Sequence, residues 1–271
     1  MSPLRLLTCA ALGLAIAAWY ALPLQAANSF APHRALYSLN LSQSRASSHI
    51  VQANGKLEFK WDDICSGWTI AQRTRVQLVS TEGLVVDFGW TFDAFESKDG
   101  RDYRFVIRRF NGDGSNEEIS GTARLEGPGK GGMATFEEPE PRQLELPAGT
   151  LFPTAHSLLL IEAAQDGALP LWKVVFDGSG DTALFGVNAA LSQALPATAP
   201  SAFPSPLLAG KPSWKIDLAF FAMDERQALP EQEQVLRLYP QGYADEMIFD
   251  YGDFALDARL TDLDPLTDQG C

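Results

Sequence analysis

The stretch LVVDFGWTFD, residues 84–93, decides the fold class of this chain. Apolar residues occupy every second position of this stretch, namely Leu84, Val86, Phe88, Trp90 and Phe92. From Val86 onward, the positions between these apolar residues hold Asp87, Gly89 and Thr91, which are small or polar. Side chains of a strand point alternately to the two faces of a sheet, so this pattern predicts a half-buried antiparallel strand.

The same two-residue period recurs along the chain. Further strands are predicted around Ala35 to Leu41, Leu57 to Trp61, Tyr103 to Ile107, Trp214 to Phe220, and Phe254 to Leu260. Turn-forming residues separate them at Asn54-Gly55, Asp99-Gly100, Asn111-Gly112, Gly127 to Gly132, and Asp177-Gly178. This number and spacing of strands predicts an all-β fold, an antiparallel meander that must curl or close to bury its apolar face.

One helix is predicted to interrupt the strands. Pro153 and Thr154 begin it, Leu158 to Ile161 supply an apolar stripe, and Gly167 with Pro170 end it. We expect this short helix to plug or cover one side of the curled sheet.

The first 26 residues predict an export signal. Arg5 is their only charged residue, and it precedes an apolar run from Leu6 to Leu22. Cleavage is expected near Ala26. An uncleaved membrane anchor is the alternative, because about 17 apolar residues are just long enough to span a bilayer. After cleavage, no stable membrane span is expected.

Two cysteines, Cys65 and Cys271, remain once the leader has removed Cys9. An even count in an oxidising compartment favours a disulfide between them, with two free thiols or an intermolecular link as alternatives. The disulfide would enclose about 200 residues, for which chain-entropy estimates give up to about 5 kcal/mol of stabilisation.

A proline-rich stretch covers residues 192–213. Its prolines are Pro196, Pro200, Pro204, Pro206 and Pro212. This composition normally marks a linker between domains. Because a pairing with Cys65 would return the C-terminus to the early strands, we interpret the stretch as a loop of one domain that spans residues 27–271.

The chain is acidic, with 34 Asp and Glu against 21 Lys and Arg and a net charge of −13. Such a surface repels nucleic acid and anionic lipid headgroups, so no nucleic-acid partner is predicted.

The run Gly127 to Gly132 lacks the full phosphate-loop pattern, and residues 111–122 lack the glycine and final glutamate of a calcium loop. His33, His49 and His156 share no metal-ligand spacing. No metal, cofactor or catalytic residue is predicted.

Three acidic pairs, Asp62-Asp63, Glu137-Glu138 and Asp245-Glu246, could be imagined as the two carboxylates of a glycosidase. We interpret them as acidic surface. His156 lies in the first turn of the predicted helix, where the helix dipole is expected to lower its pKa and favour a neutral ring. We interpret His156 as a packing or capping residue.

Five segments together resemble one protein family. They are Ala31 to Tyr37, Asp63 to Arg73, Phe152 to His156, Asp177 to Ser179, and Asp250 to Leu256 leading to Cys271. This combination resembles the EipB family of periplasmic cell envelope integrity proteins from alphaproteobacteria. The resemblance implies a β-spiral, a strongly curved, barrel-like antiparallel sheet with one helix, closed by a disulfide between Cys65 and Cys271. Ser66, where an acidic residue is expected, and the proline-rich loop depart from the family.

The resemblance also implies a non-enzymatic role in the periplasm, in maintaining the cell envelope. Our first hypothesis is a module that binds a periplasmic protein or another envelope component. The second is a carrier of a lipid or other apolar ligand, because a curled sheet with many aromatic residues could hold an acyl chain. A remote third is a periplasmic hydrolase. A solid interior would favour surface binding. An open apolar cavity would favour a carrier, and two facing carboxylates would favour an enzyme.

Overall fold

A computed structural model describes residues 30–179, 183–223 and 229–267. The predicted export signal, residues 1–26, and Cys271 lie outside these ranges. The signal and the pairing of Cys65 with Cys271 therefore stay predictions. Within the described ranges, no helix combines the length and the apolar character needed to cross a membrane.

The chain forms fourteen strands, one α-helix and a short 3-10 helix within the described ranges. They are β1 (His33–Ser44), the 3-10 helix (Ala46–Ser48), β2 (Ile50–Asp63), β3 (Gly67–Ser80), β4 (Val85–Ser97), β5 (Asp102–Asn111), β6 (Asn116–Leu125), β7 (Gly132–Glu138), β8 (Arg142–Leu146), α1 (Pro153–Asp166), β9 (Leu171–Phe176), β10 (Leu184–Leu195), β11 (Ser213–Ala222), β12 (Gln232–Leu238), β13 (Ala244–Asp250) and β14 (Phe254–Pro265).

All of these strands belong to one antiparallel sheet. Its order runs from β8 down to β1, continues with β14, and then runs down to β9. The pairing of β1 with β14, in which Leu39 lies opposite Ala258, joins the two halves of the chain in the middle of the sheet. The predicted all-β meander is therefore confirmed, and backbone hydrogen bonds hold the C-terminal strand in it.

The sheet is nearly closed into a barrel at the seam between its edge strands β8 and β9. Leu151, which follows β8, forms a parallel bridge with Val175 of β9. The Leu151 N–H donates to the Val174 carbonyl at 2.9 Å, and the Leu151 carbonyl accepts the Phe176 N–H at 3.0 Å. The edge of β9 is thus covered where the chain enters α1.

The predicted helix is confirmed as α1, with Pro153 at its first positions. It ends at Gly167, whose φ of 66° is the left-handed conformation that glycine adopts at low cost. Aromatic residues pack beneath the start of the helix: Phe152 stacks on Tyr103 with ring centroids 4.8 Å apart, and Phe176 meets both rings edge-on. These contacts fill the part of the interior next to the seam.

The proline-rich loop is shorter than the sequence predicted. Ser192 to Leu195 belong to β10 and Ser213 begins β11, so the connection itself covers residues 196–212. Gln193 to Leu195 continue the strand because their backbone pairs with β11, and Ser192 lies at a bulge between the paired residues Leu191 and Gln193. The loop then returns to the sheet, where Leu208 is 2% exposed within a core cluster whose buried strand residues come from β1, β2, β3 and β14.

Two local predictions are wrong. Asn54-Gly55 was expected to form a turn but lies inside β2. The glycine is needed there for close strand packing, because a side chain at this position would collide with the backbone oxygen of Arg75 on β3. The turn from β1 to β2 instead contains the 3-10 helix. Leu84 and Val86 were expected to be buried but are exposed, since they lie at the tip of the β3–β4 hairpin, beyond the core.

Candidate functional site in the interior of the sheet

The inner face of the sheet encloses an open cavity of about 550 Å³ with a mostly apolar wall. Cross-strand pairing arranges the lining side chains of β2, β3 and β4 in rows. Two successive rows are Leu57, Thr74 and Trp90, then Phe59, Gln72 and Phe92. Trp90 and Phe92 point inward and yet are only half-buried, because they face the cavity.

Glu96, at the last inward position of β4, holds the start of α1. It is 2% exposed, and its two carboxylate oxygens accept the backbone N–H groups of Thr154 at 2.7 Å and Ala155 at 2.8 Å. The N-cap residue Phe152 has no side-chain acceptor, so the sheet supplies what the helix end lacks. Burial raises the pKa of Glu96 to about 7, although the hydrogen bonds from the helix act in the opposite direction.

We expect Glu96→Gln to change how stability depends on pH. The reference pKa of the carboxyl is 4.5, so the unfolded chain releases this proton at lower pH than the folded protein does. The contribution of Glu96 is therefore complete below about pH 4.5 and is lost as the pH rises through about 7. From pH 5 to pH 8, wild type should lose on the order of 3 kcal/mol relative to Glu96→Gln in urea unfolding.

Other titrating groups such as Asp177 and His156 are present in both proteins, so their effects cancel when wild type and Glu96→Gln are compared. A constant difference in unfolding free energy between the two proteins is compatible with the prediction, since glutamine accepts fewer N–H groups. Curves that run parallel from pH 5 to pH 8 would contradict it.

His156 lies on the face of α1 that lines the cavity and is 5% exposed. The expectation of a neutral ring is supported, because its pKa is lowered to about 4. The main cause is burial, followed by the positive charge of Lys173. Its Nε2 has no hydrogen-bond partner within the described part of the chain.

Asp177 follows β9 and also lines the cavity. Its carboxylate accepts the Ser179 backbone N–H at 2.7 Å and the Ser179 hydroxyl at 2.8 Å. Its backbone carbonyl accepts the Tyr103 hydroxyl at 3.0 Å, which ties the residue to β5. Burial raises the pKa of Asp177 to about 6. His156 and Asp177 therefore line the cavity near α1, and Glu96 holds the start of that helix.

A buried ion pair fastens the proline-rich loop to the sheet. Asp245 has no exposed surface, and its Oδ2 lies 3.6 Å from Nη1 of Arg237. The same oxygen accepts the Tyr239 hydroxyl at 2.8 Å and the Ala202 N–H of the loop at 2.7 Å, while Arg237 donates to the Pro200 carbonyl at 2.9 Å. The interpretation of Asp245 as acidic surface was wrong, because the loop covers it.

Glu137 and Glu138 are exposed, as predicted. Asp62 and Asp63 are instead half-buried, each with 17% of its side chain exposed, and they form ion pairs with Lys60 and Lys98. The run Gly127 to Gly132 connects β6 to β7, with the Lys130 N–H donating to the Gly127 carbonyl. Asp113 accepts the Ser115 N–H in the turn between β5 and β6. The described residues contain no group of three or more His, Cys, Asp and Glu side chains placed to hold a metal ion.

These features define a class of protein: a nearly closed, barrel-like antiparallel sheet with one helix and an internal cavity. A crystal structure of a beta-barrel-like protein with a domain of unknown function, from Brucella abortus, superposes with a TM-score of 0.79. It is 26% identical and covers 88% of this chain and 99% of that one. A protein named cell envelope integrity protein EipB, from Brucella abortus (strain 2308), is 32% identical over 244 residues, which is 86% of this chain and 83% of that protein.

The EipB-like family model matches residues 24–267. The chain belongs to the EipB-like family, and the resemblance drawn from its motifs is confirmed. None of these names indicates an enzymatic family.

Proposed function

We propose that this protein supports the integrity of the cell envelope by binding a lipid or another apolar ligand inside its sheet. The observation that carries the proposal is the cavity of about 550 Å³, a volume within the range of ligand pockets in proteins. The open, mostly apolar interior favours the carrier over a module with a solid core. The envelope role is supported by the name of the Brucella abortus relative.

The cavity is long enough to hold part of an acyl chain. On β12, alternate residues from Gln232 to Leu238 line it, a stretch of about 20 Å in an extended strand. Gln232 and Gln234 are polar, whereas Leu236 and Leu238 continue the apolar wall. A chain of methylene groups gains free energy along such a wall because it leaves water, at about 0.8 kcal/mol for each buried CH₂.

The exported, periplasmic location is part of the same proposal. It is supported by the predicted signal in residues 1–26 and by the relative named for the cell envelope. The disulfide between Cys65 and Cys271 is a further part. Strands β2 and β14 both flank β1 and run in the same direction, with Trp61 and Pro265 both opposite His33. Six residues follow Pro265 and reach up to about 20 Å, enough for Cys271 to return to the turn that contains Cys65.

We expect protein purified from its own membranes to carry a co-purifying lipid in native mass spectrometry. Leu236→Trp should abolish or strongly reduce the bound mass by filling the cavity. Ile248→Trp is the matched control, since Ile248 lies on the neighbouring strand β13 and is 37% exposed on the surface. Wild type without any lipid would contradict the carrier function.

Binding of a periplasmic protein or other envelope component is a second candidate, favoured by one exposed apolar surface. Leu84, Val85 and Val86 at the β3–β4 tip are 63%, 50% and 39% exposed. In a gene-deletion strain, we expect Leu236→Trp to fail to restore resistance to detergent, while Leu84→Ser and Ile248→Trp restore it. The reverse pattern would assign the envelope function to the hairpin tip.

A further inference from the structure

Two buried ring nitrogens in the cavity lining lack hydrogen-bond partners within the described residues. They are the indole Nε1 of Trp61 and the imidazole Nε2 of His156. The two residues are 2% and 5% exposed, and both line the cavity. An unpaired buried polar group costs about 1–3 kcal/mol, so a ligand group that hydrogen-bonds these two atoms recovers part of that cost.

Both atoms belong to the same region. The ring of Trp61 stacks on that of Trp68 at a centroid distance of 4.3 Å, and Trp68 on β3 lies opposite Glu96 on β4. Glu96 in turn accepts the first N–H groups of α1, and His156 lies in the first turn of that helix. Because both residues line the cavity, we expect a ligand group at this end to contact both.

The chemistry of the two atoms restricts the ligand group. The indole N–H of Trp61 only donates, so it requires an acceptor. A neutral imidazole presents Nε2 either as a donor or as an acceptor. A hydroxyl or an amide both donates and accepts, so either can satisfy both atoms.

Charged head groups fit this end poorly. An ammonium offers no acceptor to Trp61. A carboxylate or phosphate would be brought into a buried region beside the carboxyl of Asp177. Arg109 also lines the cavity, but its Nη1 donates to Glu117 at 3.1 Å and its side chain is 39% exposed, so solvent screens its charge. Lys173, the positive group that acts on His156, is not among the described residues that line the cavity.

We propose that the helix end of the cavity binds the uncharged head of an amphiphile, a hydroxyl or amide group that hydrogen-bonds Trp61 and His156 while its acyl chain lies along the apolar wall. This inference rests on the proposed function, since it requires that an acyl chain enter the cavity. It adds the class of ligand: a neutral lipid such as a monoacylglycerol or a fatty amide.

The test compares four ligands with one acyl chain. Isothermal titration calorimetry on the purified mature protein is run with 1-monooleoylglycerol, oleamide, oleate and oleylamine. We expect the two neutral ligands to bind at least about tenfold more tightly than either charged one, the effect of about one hydrogen bond. Charged ligands that bind as tightly would overturn the head-group site alone. No binding by any of the four would overturn the carrier function as well.

Two variants separate a binding role from a structural one. We expect His156→Phe and Trp61→Phe each to weaken the neutral ligands about tenfold and to leave oleate and oleylamine unchanged. The melting temperature of ligand-free His156→Phe should be unchanged or higher, because the substitution removes an unpaired buried polar atom. Trp172→Phe is the matched control, since Trp172 is 54% exposed on β9. Equal affinities for the neutral ligands in wild type and both cavity variants would overturn the proposal.

Discussion

Cys65→Ser is expected to lower the free energy of unfolding by up to about 5 kcal/mol, because it would remove a link that encloses about 200 residues. The effect acts on the unfolded chain, whose conformational entropy increases when the loop opens. The hydrogen bonds between β1 and β14 remain in the variant, so it should still fold. Urea unfolding of the exported protein, with and without reductant, measures the difference.

Cys271→Ser should reproduce the loss, and the double variant should lose no more than either single one. Reductant should bring wild type to the same midpoint. A free-thiol assay on denatured, non-reduced mature protein should detect none. Two titratable thiols, or an unchanged midpoint in both single variants, would show that pairing in the sheet alone holds the terminus.

Asp245→Ala is expected to cost about 3–5 kcal/mol, the usual result of removing one partner from a buried ion pair. It leaves the Arg237 guanidinium, with 7% of its side chain exposed, without the carboxylate. It also removes the acceptor of the Tyr239 hydroxyl and of the Ala202 N–H. Thermal unfolding measures the loss, and faster proteolysis within residues 196–212 should accompany it.

A surface carboxylate supplies the control for this experiment. Asp262 lies 4.0 Å from Arg34 and its side chain is 50% exposed, so Asp262→Ala should cost less than about 1 kcal/mol. Adding Arg237→Met to Asp245→Ala should recover part of the stability, because the buried charge is removed as well. Equal losses in Asp245→Ala and Asp262→Ala would contradict a structural role for the buried pair.

The sequence predicted the strands well because alternation reports directly on which face of a strand is covered. Ala35, Tyr37 and Leu39 follow the rule and are all buried. The rule could not show that Trp90 and Phe92 face a cavity, since an open interior and a packed core both demand apolar residues. The volume of that interior depends on how far the sheet curls, which is a property of all its strands together.

Polar residues inside the fold were the harder part. Glu96 stands at an inward position of β4, where alternation predicts an apolar residue, and this exception was the available signal. Its partners on α1 are nearly 60 positions away and have no local pattern that announces them. Asp245 looked like surface for the same reason, because a loop contributed by distant residues covers it.

The central position of β14 determines when the protein can fold. The Thr261 hydroxyl donates to the Leu36 carbonyl, an interaction between residues 225 positions apart, and β1 has no partner on that side until β14 arrives. A chain synthesised from its N-terminus therefore cannot complete the sheet before β14 has been made. Formation of the sheet is expected to be slow, because these contacts join residues of high sequence separation.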